Sequence, residues 1–263
     1  MKLKRLFIAS LAVLFISACG SRAYYPSPEE LQEKRERLAK AEAMFQERCK
    51  KAGEFIYRTA ENVEGIFLLK LRPDRINKRD QYEMDDPYGS DLGGDAYIRL
   101  FLRARNDEGH LDSMKVGGYG YADAIDPDDG KRYRYTGRMD EPWQRDKSYE
   151  EGYMRLILDK VPAPDPAPRY GVTYDDISTR EERDYWIAGS SLRVIDLKTN
   201  EVMAERIGYM MDRGQGDQSG GRAPWLFAAN YACPEFFPYH GSTVQIHQTR
   251  TFVEKVLQLA KEK

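Results

Sequence analysis

Chemistry in a chain of 263 residues needs a nucleophile with its base, a phosphate cradle or a set of metal ligands, and each has a characteristic spacing. The chain offers three histidines: His110, His240 and His247. The last two stand seven residues apart across the start of an expected helix, which is no familiar metal-ligand spacing and reads as two surface histidines. There is no GxSxG turn to expose a serine, no GxxxxGK[ST] loop and no HExxH helix. IDPDDGKR, residues 125–132, gathers Asp126, Asp128, Asp129 and Gly130. A calcium loop of the EF-hand type wants oxygens at its first, third and fifth positions, glycine at the sixth and glutamate at the twelfth. Counted from Asp126, the fifth is Gly130 and the twelfth Gly137, so the register fails. A β-turn between strands explains the same residues. Asp85, Asp86, Asp91 and Asp95 form a second acidic group that a cation or a basic partner could use, though a solvated loop is the simpler reading. No catalytic residue, metal or cofactor is assigned, and the chain is expected not to be an enzyme.

The amino terminus is more specific. MKLKRLFIASLAVLFISAC sets Lys2, Lys4 and Arg5 ahead of an apolar stretch from Leu6 to Ile16, the order of a secretory signal. The stretch is short for a bilayer span, which needs about 20 apolar residues. Ile16-Ser17-Ala18-Cys19 resembles the lipobox of bacterial lipoproteins, in which small residues precede a cysteine that receives the lipid. The resemblance implies removal of residues 1–18 and acylation of Cys19. At about 0.8 kcal/mol per buried methylene, more than one acyl chain holds a protein stably without a spanning helix. Gly20 stands where enterobacterial lipoproteins retained in the inner membrane carry aspartate, so the periplasmic side of the outer membrane is the expected location. Residues 19–26 then serve as a tether, and 27–263 as a single periplasmic domain. Cysteine parity agrees. With Cys19 acylated, Cys49 and Cys233 remain as a pair in an oxidising compartment, and a disulfide between them is expected. It would close a loop of nearly the whole domain, worth roughly 4–5 kcal/mol in the chain-entropy model.

Charge narrows the partners. Removal of the leader lowers the 41 basic residues to 38 against 43 acidic ones, a net charge of −5, which argues against nucleic acid. About 240 residues remain, enough for one sizeable core.

The elements that must position any site follow from period and punctuation. Ser27, Pro28 and Glu30 are a cap, a first-turn proline and the third residue of a capping box, and Gly53 suits the stop. Within this helix Leu31, Leu38, Phe45 and Ala52 recur every seven residues, with Ala41 and Cys49 beside the later ones. Its first two turns are nearly all charged, so a stalk docking through its second half is expected. VEGIFLLKLRP (63–73) reads as a strand, and so do KRYRYTGR and GYMRLILDKV. In DAYIRLFLRAR (95–105), Ile98, Leu100 and Leu102 alternate with polar and aromatic residues, which also predicts a strand. SLRVIDLKTNEVMAERIGYMM (191–211) reads as a hairpin, with Asn200 tolerating the positive φ of its turn. Ser242 and Gln245 suggest a second capping box, ahead of a helix whose stripe is Ile246, Val253, Val256, Leu257 and Ala260. Strands joined mostly by turns between two terminal helices predict an α+β fold with a largely antiparallel β-sheet.

Three loops are candidates for contact. RPDRINKRDQYEMDDPYGSDLGGD (72–95) is long and polar, VPAPDPAPRY (161–170) must be extended, and DRGQGDQSGGRAP (212–224) reads as a mobile glycine-rich loop. From these and the 125–130 turn, the partner-binding candidates are Asp85, Asp86, Tyr88, Asp91, Asp126, Asp128, Asp129, Pro164 and Asp165. The eighteen tyrosines, including Tyr119, Tyr121, Tyr149 and Tyr153, suit interfaces, although most are expected in the core.

ERCKKAGEFIYRTAENVEGIFLLKLRP, LRVIDLKTNEVMAERIGYMM and APWLFAANYACP together resemble a set of bacterial lipoproteins with one cysteine before an AGE-type turn and another in an ACP-type segment. Those proteins are associated with type VI secretion, as immunity proteins against antibacterial lipase effectors. The resemblance implies a lipid-anchored inhibitor that binds a toxic phospholipase and blocks its cleft, with the membrane as its second partner. The alternative is an envelope structural or ligand-binding lipoprotein.

Overall fold

The structure, a computed structural model, describes residues 26–74, 77–89, 92–105, 118–236 and 241–260. The leader, Cys19, Asp91, His110 and His240 lie outside the described residues. The first helix, α1 (Pro28–Cys49), starts as its sequence dictates. The Ser27 hydroxyl accepts from the Glu30 amide at 3.1 Å, and the Glu30 carboxylate accepts from the Ser27 amide at 2.7 Å. Its second half is the half that docks, burying Ala41 and Phe45. The stop comes earlier than Gly53: the helix ends at Cys49, and Gly53 opens the first strand.

The strands, in chain order, are β1 (Gly53–Ile56), β2 (Ala60–Val63), β3 (Gly65–Leu68), β4 (Ala104–Arg105), β5 (Tyr121–Ile125), β6 (Arg132–Asp140), β7 (Arg155–Pro162), β8 (Tyr170–Asp176), β9 (Ile187–Asp196), β10 (Glu201–Met211), β11 (Ala232–Cys233) and β12 (Leu257–Leu259). Ten of them build one mixed, mostly antiparallel sheet, so the chain is α+β. Its order runs β1-β10-β9-β8-β3-β5-β6-β4, with β7 also beside β6 and β11 beside β10. β3 sits between two parallel neighbours, β8 and β5. That position accounts for its apolar run, since Gly65, Ile66 and Leu68 are all buried. The expected hairpin is β9–β10, with Asn200 at φ 59° in its turn.

Alternation along β10 sends Tyr209 and Met211 to one face and Met210 to the other. α1 covers the first face, where Ala41 and Phe45 meet Ile187, Tyr209 and Met211. The opposite face carries the main core. There the short helix α2 (Gly94–Phe101) and the last helix α5 (Ser242–Val256), which follows the five-residue helices α3 (Arg180–Asp184) and α4 (Pro224–Ala228), pack Tyr97, Ile98, Phe101, Phe252, Val253 and Val256 against Ile66, Leu68, Val172, Leu192 and Val194. Cys49 and Cys233 form the disulfide, Cα to Cα 5.5 Å. It ties the end of α1 to β11, and therefore to β10.

Two expectations are corrected. Residues 94–101 are helical, not extended. Tyr97, Ile98 and Phe101 stand at i, i+1 and i+4, so they form a helical stripe as readily as Ile98 and Leu100 form a strand face. Packing decides between them: Tyr97 meets Phe101 edge-on at 5.3 Å and Tyr174 at 6.5 Å. Gly94, at φ 51°, lets the chain enter the helix, and its amide donates to the Arg72 carbonyl at 2.8 Å. The second correction is the capping box at Ser242. Gly241 caps α5 without a side-chain bond. Gln245 turns inward instead, donating to the carbonyls of Pro87 and Tyr88 at 2.8 and 2.7 Å. The helix also stops at Val256, and Leu257 begins β12, which pairs in parallel with β2.

Candidate functional site: a cationic groove along the first helix

The exposed half of α1 does more than act as a stalk. Leu31, Lys34, Arg35 and Leu38 follow i, i+3, i+4 and i+7 spacing, which puts them on one helical stripe. With Arg37 they form one wall of a groove of about 570 Å³ whose other wall is residues 213–217. The lining holds Lys34, Arg35, Arg37 and Arg213 against one carboxylate, Asp217. A shallower depression of about 510 Å³ continues past Arg37 to Lys40, Glu181, Asp184 and Tyr185.

The second wall is held from beneath by one carboxylate. Asp212 is fully buried. It accepts from the amides of Gly214 at 3.0 Å and Gly216 at 2.9 Å, and from both terminal nitrogens of Arg222, one at 2.8 Å. Its own amide donates to the Trp186 carbonyl at 2.9 Å. Gly216, at φ 84°, lies so close to Trp186 that a Cβ there would stand 2.2 Å from the indole nitrogen. The Gln215 side chain donates to the Tyr185 carbonyl at 2.8 Å. The segment expected to be mobile is therefore an organised turn wrapped around a buried ion pair.

The cations are unequally committed. Arg213 pairs with Glu42 at 2.8 Å and donates to the Tyr231 hydroxyl. Arg37 donates to the Asp184 carbonyl and lies 4.7 Å from the centre of the Tyr185 ring. Lys40 is held above the usual lysine range, first by its hydrogen bond with Tyr185 and then by Glu181. Arg35 has no ion-pair or hydrogen-bond partner among the described residues. The groove thus offers standing positive charge between apolar contacts from Leu31 and Leu38, which suits an anionic group carried on an apolar support.

The sequence-derived contact candidates fall elsewhere. Asp86 and Tyr88 are buried, so they present no surface to a partner. Asp86 pairs with buried Arg72 at 3.1 Å, and burial pushes its carboxyl up against the pull of that guanidinium. Tyr88 packs on Phe236 and across Gly208, where a Cβ would stand 2.0 Å from its ring. Asp85 is half exposed and pairs with Lys70 at 2.8 Å. Asp126, Asp128, Asp129, Pro164 and Asp165 are brought together, because the β5–β6 turn and the segment after β7 are stitched to each other. Lys160 pairs with Asp126, and Arg132 donates to the Pro164 carbonyl at 2.8 Å and to Asp165 at 2.6 Å. Asp129 accepts from the Tyr133 hydroxyl at 2.8 Å. Here the β-turn reading holds: Asp126 accepts from the Asp128 amide at 2.8 Å, and Gly130 takes φ 69°. Nearby in sequence, the exposed rings of Tyr149 and Tyr153 stack 6.2 Å apart.

Among the described residues, no group of three or more His, Cys, Asp and Glu is placed to hold a metal ion, and no helix is long and apolar enough to cross a membrane. Comparison with protein-family models, curated proteins and solved structures gives no match. The function must therefore be argued from the groove and from the sequence itself.

Proposed function

We propose that this chain is an envelope lipoprotein that works by binding a protein, with the groove along α1 as its principal contact surface. Following the resemblance in its cysteine-bearing segments, the partner is an antibacterial type VI secretion effector of the phospholipase class, and the chain is the immunity protein that occludes its cleft. The observation that carries the binding reading is the groove: it is open, predominantly cationic and walled by a turn fixed on buried Asp212. A preformed surface avoids the entropy of ordering a loop on binding. The disulfide supports an extracytoplasmic site and leaves Cys19 as the one cysteine for an acyl anchor. Anchoring would concentrate the inhibitor at the membrane that a phospholipase attacks. The acidic turn at Asp126–Asp129 would lie in the complex's rim or outside it.

The test is protection. The effector that this reading requires, a phospholipase-class toxin encoded in the neighbourhood of this gene, is directed to the periplasm of a sensitive strain with and without the chain. Survival should require it, and should fall when Lys34 and Arg35 are both changed to Glu. Equal killing with and without the wild-type chain refutes the immunity reading.

A further inference from the structure

A polar seam separates two apolar clusters on the α5 face of the sheet. On β10, Ala204 belongs to the main core, whereas Met210 belongs to a second cluster with Met84, Tyr88, Trp186 and Trp225. Arg206 and Gly208 lie between them on the same face, opposite Leu192 and Ser190 of β9. Arg206 is 3% exposed. Its guanidinium lies 5.6 Å from the centre of the Tyr88 ring and 5.9 Å from that of Phe252. Its Nε and Nη1 are sealed from solvent and meet no hydrogen-bond partner, and no carboxylate among the described residues pairs with it. α5 brings a second unanswered atom. Gln245 holds the Tyr88 carbonyl and Phe252 flanks Arg206, and Thr249, fully buried, stands between the two on one helical stripe. A helical threonine can return its hydroxyl to the carbonyl four residues back, as Thr251 does to His247 at 2.9 Å. Thr249 does not, and its Oγ1 is sealed without a partner.

Two guanidiniums share this seam with one carboxylate. Asp86 is already committed, pairing with Arg72 at 3.1 Å and accepting from the Gly89 amide at 3.1 Å. A Cβ on Gly89 would fall 2.5 Å from Nη2 of Arg72 and 3.3 Å from the Ser190 hydroxyl, which sets that pair beside Gly208 and not on Arg206. Water can satisfy N–H groups but cannot balance their charge, and rings at these distances offset only part of the desolvation of a buried cation. We propose that Arg206 and Thr249 hold a small monovalent anion of the halide class, with chloride as the ligand. A dianion would exceed the single charge on offer, and burial excludes an anion carried on a larger molecule. The donors fit an ion that only accepts: guanidinium N–H groups and a hydroxyl whose proton can turn toward it. The inference is independent of the effector reading, for α1 and its groove lie on the other face of β10.

The test is the melting temperature of the full chain in mild detergent as sodium chloride replaces sodium gluconate at constant ionic strength. Chloride at about ten times its dissociation constant should raise the midpoint by roughly 3–6 °C. Arg206→Met, which keeps the bulk and removes the charge, should stay folded by circular dichroism and lose the chloride dependence. Thr249→Val, which keeps the shape and removes the hydroxyl, should need about tenfold more chloride for the same shift. Crystals of the wild-type chain grown in sodium bromide should show an anomalous peak between the Arg206 guanidinium and Thr249 Oγ1, a readout that needs no variant to fold. A wild-type midpoint indifferent to the anion, a chloride dependence that survives Arg206→Met, an unchanged chloride requirement in Thr249→Val, or no bromide at this site overturns the proposal.

Discussion

Asp212 and Asp126 open turns that look alike in sequence, DRGQG and DPDDG, and each accepts a hydrogen bond from the amide two residues on. Their surroundings make them different objects. Asp212 is sealed beneath the α1 groove with Arg222, whose side chain is 18% exposed, and it holds two glycine amides as well. Asp126 sits at the rim of the β5–β6 turn, and its partner Lys160 is 40% exposed. The Lys160 hydrogen bond, helped by the Asp128 amide, holds the Asp126 carboxyl below the usual range. One turn is a strut over a sealed ion pair; the other is a tip whose Asp126 side chain is itself only 12% exposed but whose partner Lys160 and neighbouring Asp129 face solvent, so water can take over its bonds. A carboxylate positions a surface when removing it strands other buried groups, and does little when water can replace it.

The sharpest way to break this comparison is to delete both carboxylates. Asp212→Ala leaves Arg222 and the amides of Gly214 and Gly216 without their acceptor, and should cost about 3–5 kcal/mol in denaturant unfolding. The amides of 214–217 should also lose hydrogen-exchange protection, and with it the groove should lose its second wall. Asp126→Ala should cost far less and leave the groove unchanged. Equal costs would show that the two turns are not distinguished by burial. Separating Cys49 from Cys233 by changing both to Ala comes next, at about 2–5 kcal/mol. Because the bridge joins α1 to β11, the loosening should appear in α1 and β10 before it appears in β5–β7, and uniform loss of protection would contradict that order.

What the sequence could disclose divides along the same line. Local signals survived where the chain's own neighbours decide the outcome: the Ser27–Glu30 box, the Asn200 turn and the Asp126–Gly130 turn are all made by residues within five positions of one another. Signals failed where distant groups compete. Gln245 had the right spacing for a cap, but buried carbonyls 157 and 158 residues away claimed its amide. Tyr97 through Phe101 satisfied two periods, and Tyr174 of β8 selected the helix. The groove was half visible. Its helical stripe was present in the spacing of Leu31, Lys34, Arg35 and Leu38, but the opposing wall comes from residues some 180 positions later, organised by an aspartate whose burial no local pattern announces.

Acid extends the comparison to a third carboxylate of the buried kind. Asp196, buried in the β9–β10 turn, is pulled down to about 2, first by its hydrogen bonds with Arg169 and, against the cost of burial, also by the Lys198 amide and Arg58. An unfolded aspartate titrates near 3.9. Its stabilising contribution is therefore complete above about pH 4 and disappears as the pH falls through 2. Unfolding measured across that window should show a slope that flattens in Asp196→Asn, and an unchanged slope would mean that the arginines do not hold the ion in solution.

The smallest expected effect is also a strict test of the solvated tip. Asp165 forms a close pair with Arg132 at 2.6 Å, yet its side chain is 96% exposed. Removing it leaves Arg132 its bond to the Pro164 carbonyl and its approach to buried Asp123 at 3.9 Å, so no buried group is stranded. An exposed pair gains little over hydration and must order two side chains to form. Asp165→Ala should accordingly move the unfolding midpoint by less than about 2 °C, while Asp123→Ala, which strips Arg134 of two bonds at 2.7 and 3.2 Å beneath the same turn, should move it several times further. If the two shifts match, distance rather than burial governs these pairs, and the distinction between strut and tip does not hold.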